Sequence, residues 1–143
     1  MSLTNDIPIL IKGGVFNDSR GDLYYNNDFD ASCIKRFYYI ENKNTEIIRA
    51  WQGHKIEKRW FTAVKGSFKI EVIKIDNWLS PSKSLVKNIF TINDDNLEIF
   101  FLPNGYISSI QSLIKDSKLL VMSDYLLNEV QDEYKFDVNY FKY

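Results

Sequence analysis

The sequence contains very little cysteine and histidine. Cys33 and His54 are the only residues of their types among 143. A single cysteine excludes a disulfide within the chain, and so few thiols and imidazoles exclude the clusters that hold a structural zinc ion. We therefore predict a reducing, cytoplasmic environment and neither a resident metal nor a cofactor.

Long apolar runs and an excess of charge of one sign are missing as well. The apolar run 7–11 is too short for a signal or membrane-spanning helix, and 18 basic against 19 acidic residues give a formal net charge of -1. No basic block could follow a phosphate backbone. We expect neither nucleic acid nor a membrane as partner, whereas a few Arg and Lys in one pocket would suffice for a small anionic ligand.

The chain is rich in short runs of β-branched and aromatic residues that Gly, Pro, Asn and Asp separate, which is typical of strands and turns. Predicted strands are residues 7–12, 22–25, 34–41, 47–52, 59–65, 67–76, 85–92, 97–102, 106–111 and 118–125. The apolar alternation slips at Ile73, which suggests a β-bulge. We predict one all-β domain over residues 1–143, built as a sandwich, barrel or jelly roll.

The end of the sequence has a looser pattern. Residues 126–130 could form one or two helical turns, and several aromatic residues follow them. Aromatic side chains at this density are seldom left in solvent. We expect the tail, residues 126–143, to pack on the barrel or on a partner subunit.

Residues 52–66 and 103–108 resemble the two-part cupin signature. Metal-binding cupins carry two histidines and a Glu in the first part and a third His at the end of the second. Only His54 remains here, and the other ligand positions hold Gln52, Arg59 and Ser108. Because a guanidinium replaces an anionic ligand, we predict a metal-free site.

Four more segments resemble metal-free, RmlC-like cupins that act on dTDP-sugars. They are Phe16-Asn17-Asp18-Ser19-Arg20-Gly21, Lys35-Arg36-Phe37-Tyr38-Tyr39-Ile40, Arg49-Ala50-Trp51-Gln52-Gly53-His54-Lys55 and Ser123-Asp124-Tyr125. The first is similar to an opening motif that dTDP-4-dehydrorhamnose 3,5-epimerases share with dTDP-6-deoxy-hexose 3,4-ketoisomerases, which include WxcM-like proteins. The others are similar to ketoisomerase motifs. The resemblance implies a cupin-type jelly-roll β-barrel, a homodimer, and a nucleotide-sugar ligand in the barrel mouth.

Two departures argue against the ordinary 3,5-epimerase reaction. Gln52 stands where those enzymes carry their base, and Leu120 where they carry their acid Tyr. Neither side chain can exchange a proton under these conditions. An alternative to an enzyme is therefore a non-catalytic binding protein for sugar nucleotides or carbohydrates.

A 3,4-keto shift needs a base, an acid and positive charge near the sugar oxygens. The resemblance implies that His54 is the base, because a neutral imidazole suits proton abstraction. Tyr38 is predicted to donate or relay a proton, since alternation along its strand places it on the same face as Arg36. Arg36 or Arg59 would stabilise the oxyanion.

The remaining predictions concern substrate binding. The predicted binding residues are Arg20, Arg36, Arg49, Gln52, Lys55, Arg59 and Ser108. By resemblance, Arg20 and Arg49 would hold the diphosphate, although Arg20 could instead be a turn residue paired with Asp18 or Asp22. Glu57 and Lys58 are interpreted as parts of a solvated turn.

Overall fold

Residues 7–141 are described by the computed structural model. They form twelve β-strands and no helix, and so contain no helix that could span a membrane. The strands are β1 (Ile9–Ile11), β2 (Gly14–Asp18), β3 (Gly21–Tyr25), β4 (Arg36–Ile40), β5 (Ile48–His54), β6 (Arg59–Lys65), β7 (Ser67–Lys74), β8 (Asn88–Asn93), β9 (Ile99–Leu102), β10 (Tyr106–Ser112), β11 (Lys118–Ser123) and β12 (Glu133–Lys135).

Ten of these strands make two five-stranded antiparallel sheets. The first sheet has the order β1-β9-β6-β11-β4, and the second has the order β12-β5-β10-β7-β8. β2 and β3 form a separate hairpin. The all-β jelly-roll prediction is confirmed, but as two facing sheets, because no ladder among residues 7–141 joins them into one continuous barrel.

The main core lies between the two sheets. It consists of inward-facing aromatic and aliphatic side chains from both, among them Phe68, Ile70 and Val72 of β7 and Phe100 of β9. A tight turn at Gly66 joins β6 to β7 with a φ of +79°, and a Cβ there would overlap the Ser117 hydroxyl. Glycine is the residue that such a left-handed turn favours.

β7 is regular where a bulge was predicted. Its pairing with β10 runs without interruption from Phe68 to Lys74. The apolar alternation slips at Ile73 because the outer face of the second sheet is buried as well, so that Ile73 packs there against Trp51 and Phe141. The bulge prediction was therefore wrong, since apolar residues on successive positions serve two cores.

Two strands escaped prediction, and the predicted helical turns are absent. β2 was missed, and residues 126–130 form turns and irregular backbone. β12, in the tail, pairs antiparallel with β5. Beyond it, Phe136 exchanges backbone hydrogen bonds with Trp51, at 2.9 and 3.0 Å, and Phe141 is buried against the Trp51 ring. Tyr143 lies outside the described residues.

Candidate active site

A cavity of about 430 Å³ opens between the two sheets. Its volume is in the range of small-molecule sites. One wall comes from β4, β6, β9 and β11 of the first sheet, and the other from β5, β10 and β12 of the second. Both faces of the jelly roll therefore contribute side chains to a single pocket.

A bulge in β5 decides which of its side chains enter this cavity. Gln52 pairs with Ser108 and Arg49 with Ile110, so β5 holds one residue more than β10 across this interval. Directly paired residues of antiparallel strands project to the same side. The bulge therefore brings Arg49 onto the cavity face together with Gln52 and His54, although its spacing from Gln52 is odd.

His54 ends β5 inside the cavity and is only 7% exposed. Its Nδ1 lies 3.1 Å from Asp132 Oδ1, and its Nε2 lies 2.5 Å from a terminal nitrogen of Arg59. Because a guanidinium can only donate, Nε2 carries the lone pair and Nδ1 carries the proton. The imidazole is therefore held as the tautomer whose basic nitrogen faces the Arg59 side of the cavity.

Arg59 joins the imidazole to a phenol. Its guanidinium, buried on β6, also donates to Tyr38 Oη at 2.9 Å. Arg59 Nε is buried and has no hydrogen-bond partner within the described part of the chain. A base, a phenol and a fixed positive charge thus line the same pocket.

Glu57 lies beneath this group rather than in a solvated turn, and that interpretation was wrong. Its carboxylate accepts from the Ser123 hydroxyl at 2.7 Å and from Arg59 at 3.3 Å, and it is 8% exposed. Its other oxygen lies 3.4 Å from His54 Nδ1. The ion pair with Arg59 accounts for its burial, because a buried carboxylate needs a charged or hydrogen-bonding partner. Its spacing of three residues from His54 was an available signal.

Asp132 was missed by the sequence analysis. It lies in the tail just before β12, is 3% exposed, and accepts the backbone N–H groups of Ile56 and Glu57 at 2.6 and 2.8 Å. Burial acts to raise the pKa of Asp132, but the Glu57 N–H, the His54 ring and the Ile56 N–H together lower it. The carboxylate is therefore ionised at neutral pH. No motif marks it, since 78 residues separate it from His54.

The surroundings keep His54 neutral. Burial, followed by the Arg59 guanidinium, lowers the pKa of His54 below its ordinary value of 6.5, against the opposing effect of Asp132 and Glu57. A neutral imidazole with a fixed tautomer can take a proton at neutral pH.

His54, Glu57 and Asp132 also place possible metal-ligating atoms within 4.8 Å of one another. A metal bound at Nδ1 would move the ring proton to Nε2, where it would face the donor groups of Arg59. The guanidinium would also add a positive charge beside the ion. These residues fit proton transfer better than they fit a cation.

The other predicted residues differ in where they lie relative to the cavity. Arg49, Gln52 and Ser108 line it. Arg36 lies behind the lining residues, with its guanidinium 3.9 Å from the Glu57 carboxylate and over the Tyr38 ring. Lys55 and Arg20 do not line the cavity. Arg20 lies at the tip of the β2–β3 hairpin and is paired with Asp18 at 2.6 Å. Leu120 packs on the opposite face of its sheet.

One protein family matches almost the whole chain. The profile of the family described as FdtA: WxcM-like, C-terminal, matches residues 9–143. No curated protein matches the chain significantly.

Three solved structures illustrate the shared fold. QdtA, a sugar 3,4-ketoisomerase from Thermoanaerobacterium thermosaccharolyticum in complex with TDP, is 23% identical over 98% of this chain and 94% of its own, with a TM-score of 0.69. The WlaRB TDP-quinovose 3,4-ketoisomerase from Campylobacter jejuni is 15% identical over 95% and 98%, with a TM-score of 0.68. The dTDP-4-dehydrorhamnose 3,5-epimerase from Sulfolobus tokodaii is 17% identical over 95% and 80%, with a TM-score of 0.72. The likeness confirms the predicted RmlC-like, cupin-type fold.

Proposed function

The chain belongs to the family described as FdtA: WxcM-like, C-terminal, and on this premise we propose that it is an isomerase of a dTDP-4-keto-6-deoxyhexose. The reaction we favour is a 3,4-keto shift. The observation that carries the proposal is the neutral His54, buried in the cavity with Nδ1 held by Asp132 and Nε2 beside Arg59. The ketoisomerases among the structural neighbours support the substrate class.

The proposed reaction needs no redox partner. His54 Nε2 removes the proton from C3, and the electron pair of that C–H bond moves through C4 onto the keto oxygen to give an enediolate. Return of a proton to C4 and transfer of the O3 proton to O4 leave the ketone at C3 and a hydroxyl at C4. The sugar therefore oxidises one of its own carbons while it reduces the next.

The surrounding groups have separate roles in this proposal. Arg59, which donates to Nε2 in the free protein, would turn its donors towards the developing oxyanion when the sugar carbon replaces it at the imidazole. Tyr38 would relay the hydroxyl proton, because its Oη is held by the same guanidinium. Asp132 keeps the Nδ1 proton in place and stabilises the imidazolium that forms.

We also propose that the protein is a cytoplasmic homodimer. Cys33 is exposed and free, as is usual in a reducing compartment. The β2–β3 hairpin pairs with neither sheet and exposes apolar side chains on both strands, which a second copy could cover. Arg20, at its tip, would then be available to the partner's cavity.

The test is hydrogen exchange from solvent. Incubation of dTDP-4-keto-6-deoxyglucose with the protein in D₂O should place deuterium at C4 of the product, whereas label at C5 would indicate an epimerase. His54→Asn should slow exchange by at least about 100-fold, because it removes the base. Lys65→Gln, at the exposed end of β6, is the control and should exchange normally.

Two outcomes would contradict the proposal. Undiminished exchange in His54→Asn, with an unfolding temperature close to that of the wild type, would mean that another group is the base. Binding of the sugar nucleotide without any exchange would instead support the non-catalytic alternative, which the replacement of a second histidine by Gln52 favours.

A further inference from the structure

The charged groups of the cavity are paired at its interior but not at its mouth. At the interior, the Arg59 guanidinium is paired with the Glu57 carboxylate, and both groups are buried. At the mouth, Arg49 and Lys135 line the cavity and are exposed. No carboxylate of residues 7–141 lies within ion-pair distance of either of them. The mouth therefore carries two cations that have no ion-pair partner among these residues.

The position of Lys135 follows from the pairing of the tail with β5. Lys135 is opposite Gln52, and Glu133 is opposite His54. Paired residues project to the same side, so Lys135 faces the cavity, while Tyr134 projects outward and contacts the Trp78 ring at a tilt. The strand spacing places Lys135 about 7 Å along β12 from the level of His54.

The neighbouring side chains leave both cations able to bind an anion. Arg49 uses its Nε to donate to Asn42 Oδ1 at 2.7 Å, which holds the guanidinium in place while its two terminal nitrogens stay available. Glu133, two residues before Lys135, accepts a hydrogen bond from the Gln52 amide and forms no ion pair with Lys135. A fork of guanidinium donors and a lysine ammonium that line the same cavity suit a phosphate group.

From this arrangement we propose that Lys135 is a substrate-binding residue that holds the diphosphate of a nucleoside diphosphate sugar together with Arg49. The sugar then points inward to His54, Tyr38 and Arg59. The inference rests on the proposed function, because it supposes that a nucleotide sugar is the ligand. It adds a binding residue from the tail and fixes the direction in which the ligand enters.

The experiment measures binding of two probes by calorimetry, TDP and the uncharged nucleoside thymidine. Lys135→Gln should weaken TDP binding about tenfold, because it removes one charge-assisted contact, and should leave thymidine binding unchanged. Lys135→Arg should keep most of the affinity for TDP. Lys65→Gln, which removes the same charge from an exposed strand end away from the cavity, is the matched control.

Two further readouts separate this role from a structural one. Raising the salt concentration should weaken TDP binding more for the wild type than for Lys135→Gln, because the variant has lost a screened charge. In turnover of the sugar nucleotide, the loss should fall on KM more than on kcat.

Equal affinity of Lys135→Gln and the wild type for TDP would overturn the inference, even if deuterium exchange shows that the protein is an isomerase. Conversely, a tenfold loss of TDP affinity in a protein that exchanges no deuterium would support the binding role of Lys135 and contradict the catalytic proposal. Failure of the wild type to bind TDP would overturn both.

Discussion

At His54, burial and the Arg59 guanidinium favour the neutral imidazole, while two carboxylates favour the charged one. Burial and the guanidinium have the larger combined effect, so the pKa of His54 is lowered. Asp132 still has an essential place, since it accepts the Nδ1 proton and so leaves Nε2 with its lone pair. The tautomer and the protonation state are thus set by different neighbours.

This balance can be measured directly, because His54 is the chain's only histidine. In a protein without a histidine tag, NMR titration should give a pKa below 6.5. Arg59→Gln should raise that pKa, since it removes a nearby positive charge, and Asp132→Asn should lower it further, since it removes a carboxylate that stabilises the imidazolium. Lys65→Gln should leave it unchanged. The pH dependence of kcat/KM should follow, with activity lost as the pH falls through the pKa of His54.

A pKa of His54 above 6.5 in the wild type would contradict this description of the site. So would an unchanged titration in both Arg59→Gln and Asp132→Asn.

The sequence allowed prediction of only some of these residues. His54, Arg59 and Tyr38 were found because they lie in motifs or on alternating strand positions. Asp132 could not be found, because its role depends on a contact across 78 residues that exists only once the tail has docked. Lys135 was missed for a similar reason, because the direction of its side chain follows from the pairing of β12 with β5.

Among the elements, the tail has the largest influence on the site. β12 adds an edge strand to the second sheet, and the segment around it supplies Asp132, Glu133 and Lys135. Farther along, Phe141 is 3% exposed and packs edge-on against Trp51 of β5. The same strand that carries His54 towards the cavity therefore anchors the tail on its outer side.

We expect Phe141→Ala to weaken both the fold and the site. Loss of a buried aromatic ring should lower the free energy of unfolding by about 3 kcal/mol. Because Phe141 holds the tail, the variant should also lose isomerase activity and show a disturbed His54 titration. Thermal unfolding and NMR would test this. Leu127→Ala, an exposed position in the same tail, should change stability by less than about 0.5 kcal/mol.

If Phe141→Ala loses stability but keeps the His54 titration of the wild type, the tail positions Asp132 independently of this anchor.

The strands with clear alternation or clear turns were predictable, and the elements with mixed environments were not. β6 and β11 were found almost to the residue, whereas β12 was missed because its three residues carry no period of their own. Because β7 is buried on both faces, its sequence shows the same break in apolar alternation that a bulge would give. The bulge that is present in β5 leaves no sign in the composition of that strand. Long-range pairing decides both cases.

For the whole molecule, the outstanding feature is the β2–β3 hairpin. Phe16 and Leu23 are paired across it and project to the same side, and they are 56% and 57% exposed. A two-stranded hairpin is only marginally stable in water unless it packs against something else. A second copy of the chain is the occupant that we propose.

Light scattering should accordingly give a mass of twice 16.9 kDa for the wild type. Leu23→Ser should shift the protein towards the monomer, because it places a polar group in the proposed contact. Val86 is 75% exposed in the loop before β8, and Val86→Ser should leave the mass of the protein unchanged. A wild type that is monomeric at micromolar concentration, or a dimer that Leu23→Ser does not affect, would contradict the proposed contact.

The extra residue in β5 makes this strand tolerant of one particular deletion. Loss of one codon between Arg49 and Gln52 would leave the arginine two positions from Gln52, so that a strand without the bulge would still present it to the cavity while His54 kept its place. With the present spacing of three, a regular strand would turn the arginine to the outer face of the sheet. Across relatives, we therefore expect strands that are one residue shorter here to lack the bulge and to keep this arginine on the ligand side.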